Sequence, residues 1–301
     1  MKTGGSNYIT INGSMENPVI GTFHLHRETV ASDLVAMYEH GQRKLALLLW
    51  FAPLNFPAAH EHLWHHVCDS FGGALYEQHR DNIVALLALI EQTGFNELHF
   101  RFGPQGKAMD REWAEWDATQ FNENWQFVQS VSALVRAAQG NLKVVFDLGV
   151  EHANERINES PVHGLYCRRM WRLYTDENGP GDSCAFSIIH GGGGATRMIR
   201  LFKIANLPLP ACYCFDSYGH EYASLVSAKA ALLSKNEDLK PVYMLETNYN
   251  DLISCADIRR AVNETGLDFQ GIFQWPKIRD REHGDFPDVF PKRFDNYLVE
   301  T

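Results

Sequence analysis

Acids, amides, histidines and aromatic rings recur at the C-terminal ends of short apolar runs along this 301-residue sequence. Pro241-Val-Tyr-Met-Leu runs into Glu246, with Asn248 two residues on. Phe269-Gln-Gly-Ile-Phe runs into Gln274 and Trp275, and Ala211-Cys-Tyr-Cys-Phe into Asp216, then Tyr218 and His220. Leu142–Gly149 carries Asp147 and is followed by Glu151 and His152. Asn96–Phe102 carries Arg101, Lys44–Phe51 carries Trp50, and Val19–His26 carries His24 and His26. Gathered at one rim, these groups suit a carbohydrate. Hydroxyls need polar forks, ring faces need aromatic platforms, and a pair of carboxyls can supply both a proton and a nucleophile.

The runs alternate with helix-like stretches, and that alternation must bring the rim together. Helices are expected over Glu28–Gln42, Asp81–Thr93, Glu123–Ala138, Tyr166–Tyr174, Ala195–Ala205, Tyr222–Lys235 and Cys255–Thr265, with the eighth strand closing the series. Cys184–Ile189 supplies the fifth strand between them. Eight strands alternating with helices is the count of an α/β fold of the (β/α)8 TIM-barrel type. It is expected as one domain over 1–301, with the barrel proper at about 19–280. An open doubly wound sheet is the competing architecture. No Gly-rich phosphate turn follows the first strand, and Gly191–Gly194 lacks the Lys-Ser/Thr of a phosphate loop. That glycine run is expected to be a flexible loop.

A formal charge of −10 argues against a nucleic-acid partner or an anionic membrane, and favours a neutral or cationic substrate over a polyanion unless local charge overrides it. No stretch approaches the length of apolar sequence that spans a bilayer. No apolar segment follows Lys2, which leaves a cytoplasmic chain or a trimmed secreted one as expectations. The six cysteines form no Cys-x-x-Cys pair and read as reduced, buried thiols, with Cys212 and Cys214 on one face of a strand. Nothing calls for a cofactor, and nothing indicates an oligomeric state.

Pro241-Val-Tyr-Met-Leu-Glu246-Thr-Asn248, followed by Gly271-Ile-Phe-Gln-Trp275-Pro, resembles the retaining glycoside hydrolases of clan A, which include cellulases, mannanases and β-galactosidases. The resemblance covers about Val19 to Asp280 and is densest over the last three strands. It implies a nucleophilic Glu246 closing the seventh strand and Trp275 flooring a sugar subsite. Cys214-Phe-Asp-Ser-Tyr218-Gly-His220 resembles the aromatic end of the clan's sixth strand, where a Tyr contacts the nucleophile. An acid/base Glu is then implied at the fourth strand. Phe146-Asp-Leu-Gly-Val-Glu151-His152 fits that place with Val150 where the clan carries Asn, while Asn154-Glu155 lies four residues further on. Glu151, Glu155 or no acid at all from this strand remain open. Arg101, Tyr218 and His220 are expected to tune Glu246, Trp275, Trp50 and Phe51 to stack on sugars, and Asn248 and His152 to complete the substrate-binding set.

Other chemistries compete. In His60-Glu-His62-Leu-Trp-His65-His66, His62 and His66 have the spacing to share a metal ion on a helix. His24-x-His26 on a strand face would begin the metal set of an amidohydrolase-type barrel. The missing Asn at Val150 admits a carbohydrate-binding or assembly protein on a catalytically degenerate barrel. Trp113, Trp116 and Trp125 read equally as further sugar platforms or as anchors of the loop that carries them.

Overall fold

Strands buried on both faces read as continuous apolar runs, and those runs here become the staves of a parallel sheet. A computed structural model describes residues 4–12, 15–54, 67–235, 240–279 and 292–298. Its strands are β1 (Gly5–Asn7), β2 (Ile9–Asn12), β3 (Met15–Pro18), β4 (Lys44–Ala52), β5 (Val67–Asp69), β6 (Glu97–Pro104), β7 (Lys143–Asp147), β8 (Ser183–Ala185), β9 (Tyr213–Asp216), β10 (Val242–Glu246) and β11 (Phe269–Gln274). Eight of them lie in the order β8-β7-β6-β4-β1-β11-β10-β9. Parallel bridges Ala153–Ile188 and Ile188–Phe215 carry the ladder on from the β8 side to β9. The sheet therefore nearly closes on itself as a (β/α)8 barrel. β5 extends the end of β4, and β2 and β3 form an antiparallel hairpin.

The surrounding helices are α1 (Phe23–Glu39), α2 (Glu77–Thr93), α3 (Ala118–Ala138), α4 (Arg156–Glu159), α5 (Pro161–Asn178), α6 (Gly192–Ile204), α7 (Glu221–Ser234), α8 (Leu252–Thr265) and α9 (Asp295–Leu298). Local chemistry sets their ends. Asp117, Ser160 and Asp251 each cap an N-terminus by accepting from a backbone N–H three residues on. Gly94 ends α2 in the left-handed conformation, and α2 buries Ile83, Leu86, Leu87 and Ile90 on one stripe. Among the described residues no helix is long and apolar enough to cross a membrane.

Two expectations are corrected. The first stave is not Val19–His26 but Gly5–Asn7, between β4 and β11, so the barrel begins well before residue 19. A Cβ on Gly4 or Gly5 would collide with the carbonyl oxygens of Ile272 or Lys44, which is why this strand is built of Gly-Gly-Ser-Asn and reads as a turn. Phe23, Val30, Leu34 and Met37 instead form the buried face of α1, and His24 and His26 are exposed on it. The glycines at 192–194 are likewise no loop. They form the first turn of α6, where Gly194 fits against the carbonyls of Ile189 and Ala153.

Along β4 the side chains alternate. Leu45, Leu47, Leu49 and Phe51 join the core between sheet and helices, while Ala46, Leu48 and Trp50 point into the barrel. Inside, Ala46, Val145, Cys184, Cys212, Cys214, Tyr243 and Phe273 form a closed lower layer. All six cysteines are free and buried, and the Cys212 and Cys214 sulfurs lie 4.0 Å apart. At the mouth, Ile9, Leu48 and Trp275 pack with Trp50, Val150 and Tyr218. Between the two apolar layers sits a charged one.

Candidate active site

Arg101, on β6, is the centre of the charged layer and is fully buried. Its five N–H donors have five acceptors. Nε donates to Asp147 Oδ2 at 3.1 Å. Nη1 donates to Asn7 Oδ1 at 2.9 Å and Glu246 Oε1 at 2.7 Å. Nη2 donates to Ser187 Oγ at 3.2 Å and Asp216 Oδ2 at 2.9 Å. A buried guanidinium survives only when its fork is filled in this way.

Glu246 ends β10 almost wholly buried, and Tyr218 donates its hydroxyl to the second oxygen, Oε2, at 2.5 Å. Both carboxylate oxygens thus accept from fixed donors. Asp147 Oδ1 accepts from the backbone N–H groups of Gly149 and Ser187, at 3.2 and 3.0 Å. Asp216 is different. Burial, and behind it the charges of Glu246, Glu151 and Asp147, push its pKa well above the usual carboxylate range despite Arg101. Its Oδ1 is buried with no hydrogen-bond partner among the described residues.

Glu151 faces this group from the turn after β7. Its backbone is left-handed, with φ 54°, held by its N–H donating to Ser187 Oγ at 2.7 Å and its carbonyl accepting from Asn154 Nδ2 at 2.7 Å. Positive φ in a non-glycine residue is strained, and such strain collects at functional sites. Burial first, then the negative charge of Glu246, raises the Glu151 carboxyl to about 7, against the lowering pull of Arg101 and Arg111. Carboxylate oxygens of Glu151, Asp216 and Glu246 all lie within 4.8 Å of one another.

Behind Glu151 lies a second buried cluster. Asp110, in a 3₁₀ turn after β6, accepts from His152 Nε2 at 3.0 Å and His163 Nδ1 at 2.5 Å. The remaining ring nitrogens bond the carbonyls of Val150 and His152, at 3.0 and 2.9 Å. Burial opposes the charge on Asp110, but the two histidines outweigh it and hold the carboxyl down at about 2. These three residues have the donor set of a metal site. Every ring nitrogen and both carboxylate oxygens are already engaged, so the cluster is complete as an ion-pair network.

A cleft of about 240 Å³, open at its mouth, lies over the acids. Leu48, Trp50, Gly103, Pro104, Gln105, Arg111, Val150, Glu151, Tyr218, Glu246, Trp275 and Lys277 line it. The fold thus assembles Glu246, Glu151, Trp275, Tyr218 and Trp50 around one cavity, with Arg101 beneath. The other expected residues go elsewhere. Glu155 is exposed and pairs with His190 at 3.1 Å, so Glu151 is the acid that meets Glu246. His220 is exposed at the N-cap of α7 and makes no bond to Glu246. Asn248 is buried against Glu221 and Ser254, and its carbonyl accepts from Tyr297. His152 is held inside the Asp110 cluster and does not line the cleft. Phe51 faces outward and stacks on Phe127 at 4.8 Å, because neighbouring residues of a strand point to opposite faces. Trp113, Trp116 and Trp125 pack into the core as anchors. The 60–66 histidine segment lies outside the described residues. His24 and His26 join neither group of potential ligands.

Sequence reasoning missed Asn7, Ser187 and Asp110, and gave no role to Arg111 or Lys277. Asn7 hides in the Gly-rich first strand. Ser187 follows a three-residue stave. Arg111 and Lys277 sit in loops whose direction no periodicity encodes.

No protein-family model matches the sequence, and no curated protein sequence matches it. Solved structures do. An exo-β-1,4-mannosidase from Opitutaceae bacterium strain TAV5 superposes with a TM-score of 0.60 at 12% identity, over 99% of this chain and 58% of that one. A β-mannanase from the blue mussel Mytilus edulis gives 0.58 at 11% identity, over 99% of this chain and 91% of that one. GH5_18 from Bifidobacterium longum subsp. longum ATCC 55813 gives 0.59 at 14% identity, over 97% and 73%. The chain spans little more than half the length of the mannosidase. At such identities the likeness is one of fold, and it establishes the (β/α)8 barrel independently of the strand count.

Proposed function

We propose that this protein is a retaining glycoside hydrolase that cleaves β-glycosidic bonds of a polysaccharide or oligosaccharide by a double displacement, with Glu246 as nucleophile and Glu151 as acid/base. The observation that carries the proposal is the pairing of two carboxyls with opposite environments across one cleft. Retaining enzymes need their carboxyl groups roughly 5–5.5 Å apart, and oxygens of Glu151 and Glu246 lie within 4.8 Å. Glu246 accepts from Arg101 and Tyr218, which suits a nucleophile whose carboxylate is held in one orientation. Glu151, raised to about 7, suits a proton donor at neutral pH.

In the first step a Glu246 oxygen attacks the anomeric carbon, the bond to the leaving oxygen breaks, and Glu151 gives that oxygen its proton. In the second, Glu151 takes a proton from water, whose oxygen displaces Glu246 from the same carbon. Trp275 and Trp50 offer apolar ring faces to the sugars. The resemblance of the seventh and eighth strand endings to clan A, and the shared fold of solved structures titled as mannosidase and mannanase, support the β-linked substrate class. A non-catalytic sugar binder on a degenerate barrel has no need of two acids at this spacing.

The test is hydrolysis of a panel of polysaccharides and aryl β-glycosides by the native chain, Glu246→Gln and Glu151→Gln, with the anomer of the first product followed by proton NMR. Glu246→Gln is expected to lose at least about 10⁴-fold in rate. Glu151→Gln is expected to lose about 10²–10⁴-fold on substrates with poor leaving groups. Both variants should keep the native circular dichroism spectrum. Native rates in Glu246→Gln, or an inverted product, would overturn the assignment.

A further inference from the structure

Two cations line the cleft without a salt bridge among the described residues. The chain carries 37 acidic residues against 27 Lys and Arg, so acids are in surplus. Arg101 holds three acids, and Arg279 holds Asp251 at 2.9 Å and Glu221 at 3.8 Å. Arg111 and Lys277 both line the cleft and are only partly buried, yet among the described residues neither makes an ion pair.

They stand on opposite banks. The Lys277 ammonium lies 4.5 Å from the centre of the Tyr218 ring, whose hydroxyl bonds Glu246. Arg111 stands on the Glu151 side and lowers the pKa of that carboxyl. Its position is braced, since the adjacent Asp110 is locked to His152, the neighbour of Glu151, and the Arg111 carbonyl accepts from Arg156 at 3.0 Å. Arg101 cannot serve a ligand, because all its donors are taken.

A neutral sugar entering this cleft would strip water from two cations and return no charge, which is costly. A ligand that carries its own anion offers charge-assisted hydrogen bonds instead. Resting on the glycosidase assignment above, we propose that the cleft takes an acidic glycan, one whose sugars bear a carboxylate or a sulfate ester read by Lys277 and Arg111. This reverses the preference that the net charge suggests, since the field inside a cleft is set by the groups that line it.

Binding and turnover separate the two proposals. The Glu246→Gln chain is titrated calorimetrically with a neutral manno-oligosaccharide, an oligouronate and a sulfated oligosaccharide of equal length, and the native chain is assayed on the same three. The expected result is at least about tenfold tighter binding of the uronate or the sulfate form, weakened as salt rises toward about 1 M. The preference should disappear in Arg111→Gln/Lys277→Gln, whose fold is checked by circular dichroism. The carboxylate and sulfate arms identify which anion is read. Hydrolysis of the neutral glycan with no gain for either acidic one overturns this inference and leaves the hydrolase standing. Equal acidic binding in the double variant overturns it too. Salt-sensitive acidic binding that Arg111 and Lys277 control, without turnover of any glycan, upholds the inference and removes the hydrolase.

Discussion

Glu246 is the last residue of a strand, whereas Glu151 lies beyond the end of its strand in a left-handed turn. The first is held by direct bonds to its carboxylate, from Arg101 and Tyr218. The second is held through its backbone, by Ser187, Asn154 and the Asp110 cluster behind His152. The difference matches the work proposed for each. A nucleophile needs its charge fixed in place by donors. An acid/base must change protonation twice per turnover, and donors fixed on its carboxyl would hinder that, so its support is better placed on the main chain.

Breaking the Glu246 side should have the largest effect. Arg101→Met leaves Asp147, Asp216 and Glu246 buried without their cation. A loss of about 3–5 kcal/mol is expected, read as a fall in Tm of roughly 10 °C together with loss of activity. A variant that melted like the native chain would show that the cluster does not depend on its cation. On the Glu151 side, Asp110→Asn removes the charge that the two histidines share. About 1.5–3 kcal/mol of stability should go, and kcat should fall more on substrates with poor leaving groups than on activated aryl glycosides. A stability loss with an unchanged leaving-group dependence would make the cluster a brace for the fold alone.

Tyr218→Phe sharpens the comparison at smaller cost. It removes one donor to Glu246 and should lower kcat/KM by roughly 10- to 100-fold with Glu151 untouched. The smallest effect concerns pH. Glu151 must be protonated to act as the acid, so kcat/KM should decline as pH rises through about 7. Arg111 favours the ionised carboxyl, so Arg111→Gln should move that decline to higher pH, in a pH–rate profile on an activated substrate. A move to lower pH would mean that Arg111 does not act on Glu151.

The barrel was legible because buried parallel strands leave continuous apolar runs, and seven of the eight staves lie where such runs stand. The exception is instructive. Val19–His26 alternates like a strand, but its Phe23 belongs to a helical stripe with Val30, Leu34 and Met37. The true first strand has no apolar residue to announce it. Its glycines are required by neighbouring carbonyls, a condition invisible along the chain. In the site, Glu246, Trp275 and Tyr218 could be read because strand endings point predictably into the mouth. His220 lies four residues past the end of β9 and Asn248 two past the end of β10, where the chain has already turned away.

By itself, then, the sequence determined the alternation of elements, the rim at which chemistry collects, and Glu246 as its anchor, since all three follow from periodicity and position along a strand. Tertiary structure alone set Glu151 rather than Glu155 beside Glu246, brought Asn7 to Arg101, and set Arg111 and Lys277 on facing banks. Those outcomes depend on closure of the sheet and on loop dihedrals, which place atoms distant in the chain within ångströms of one another and leave no local pattern behind.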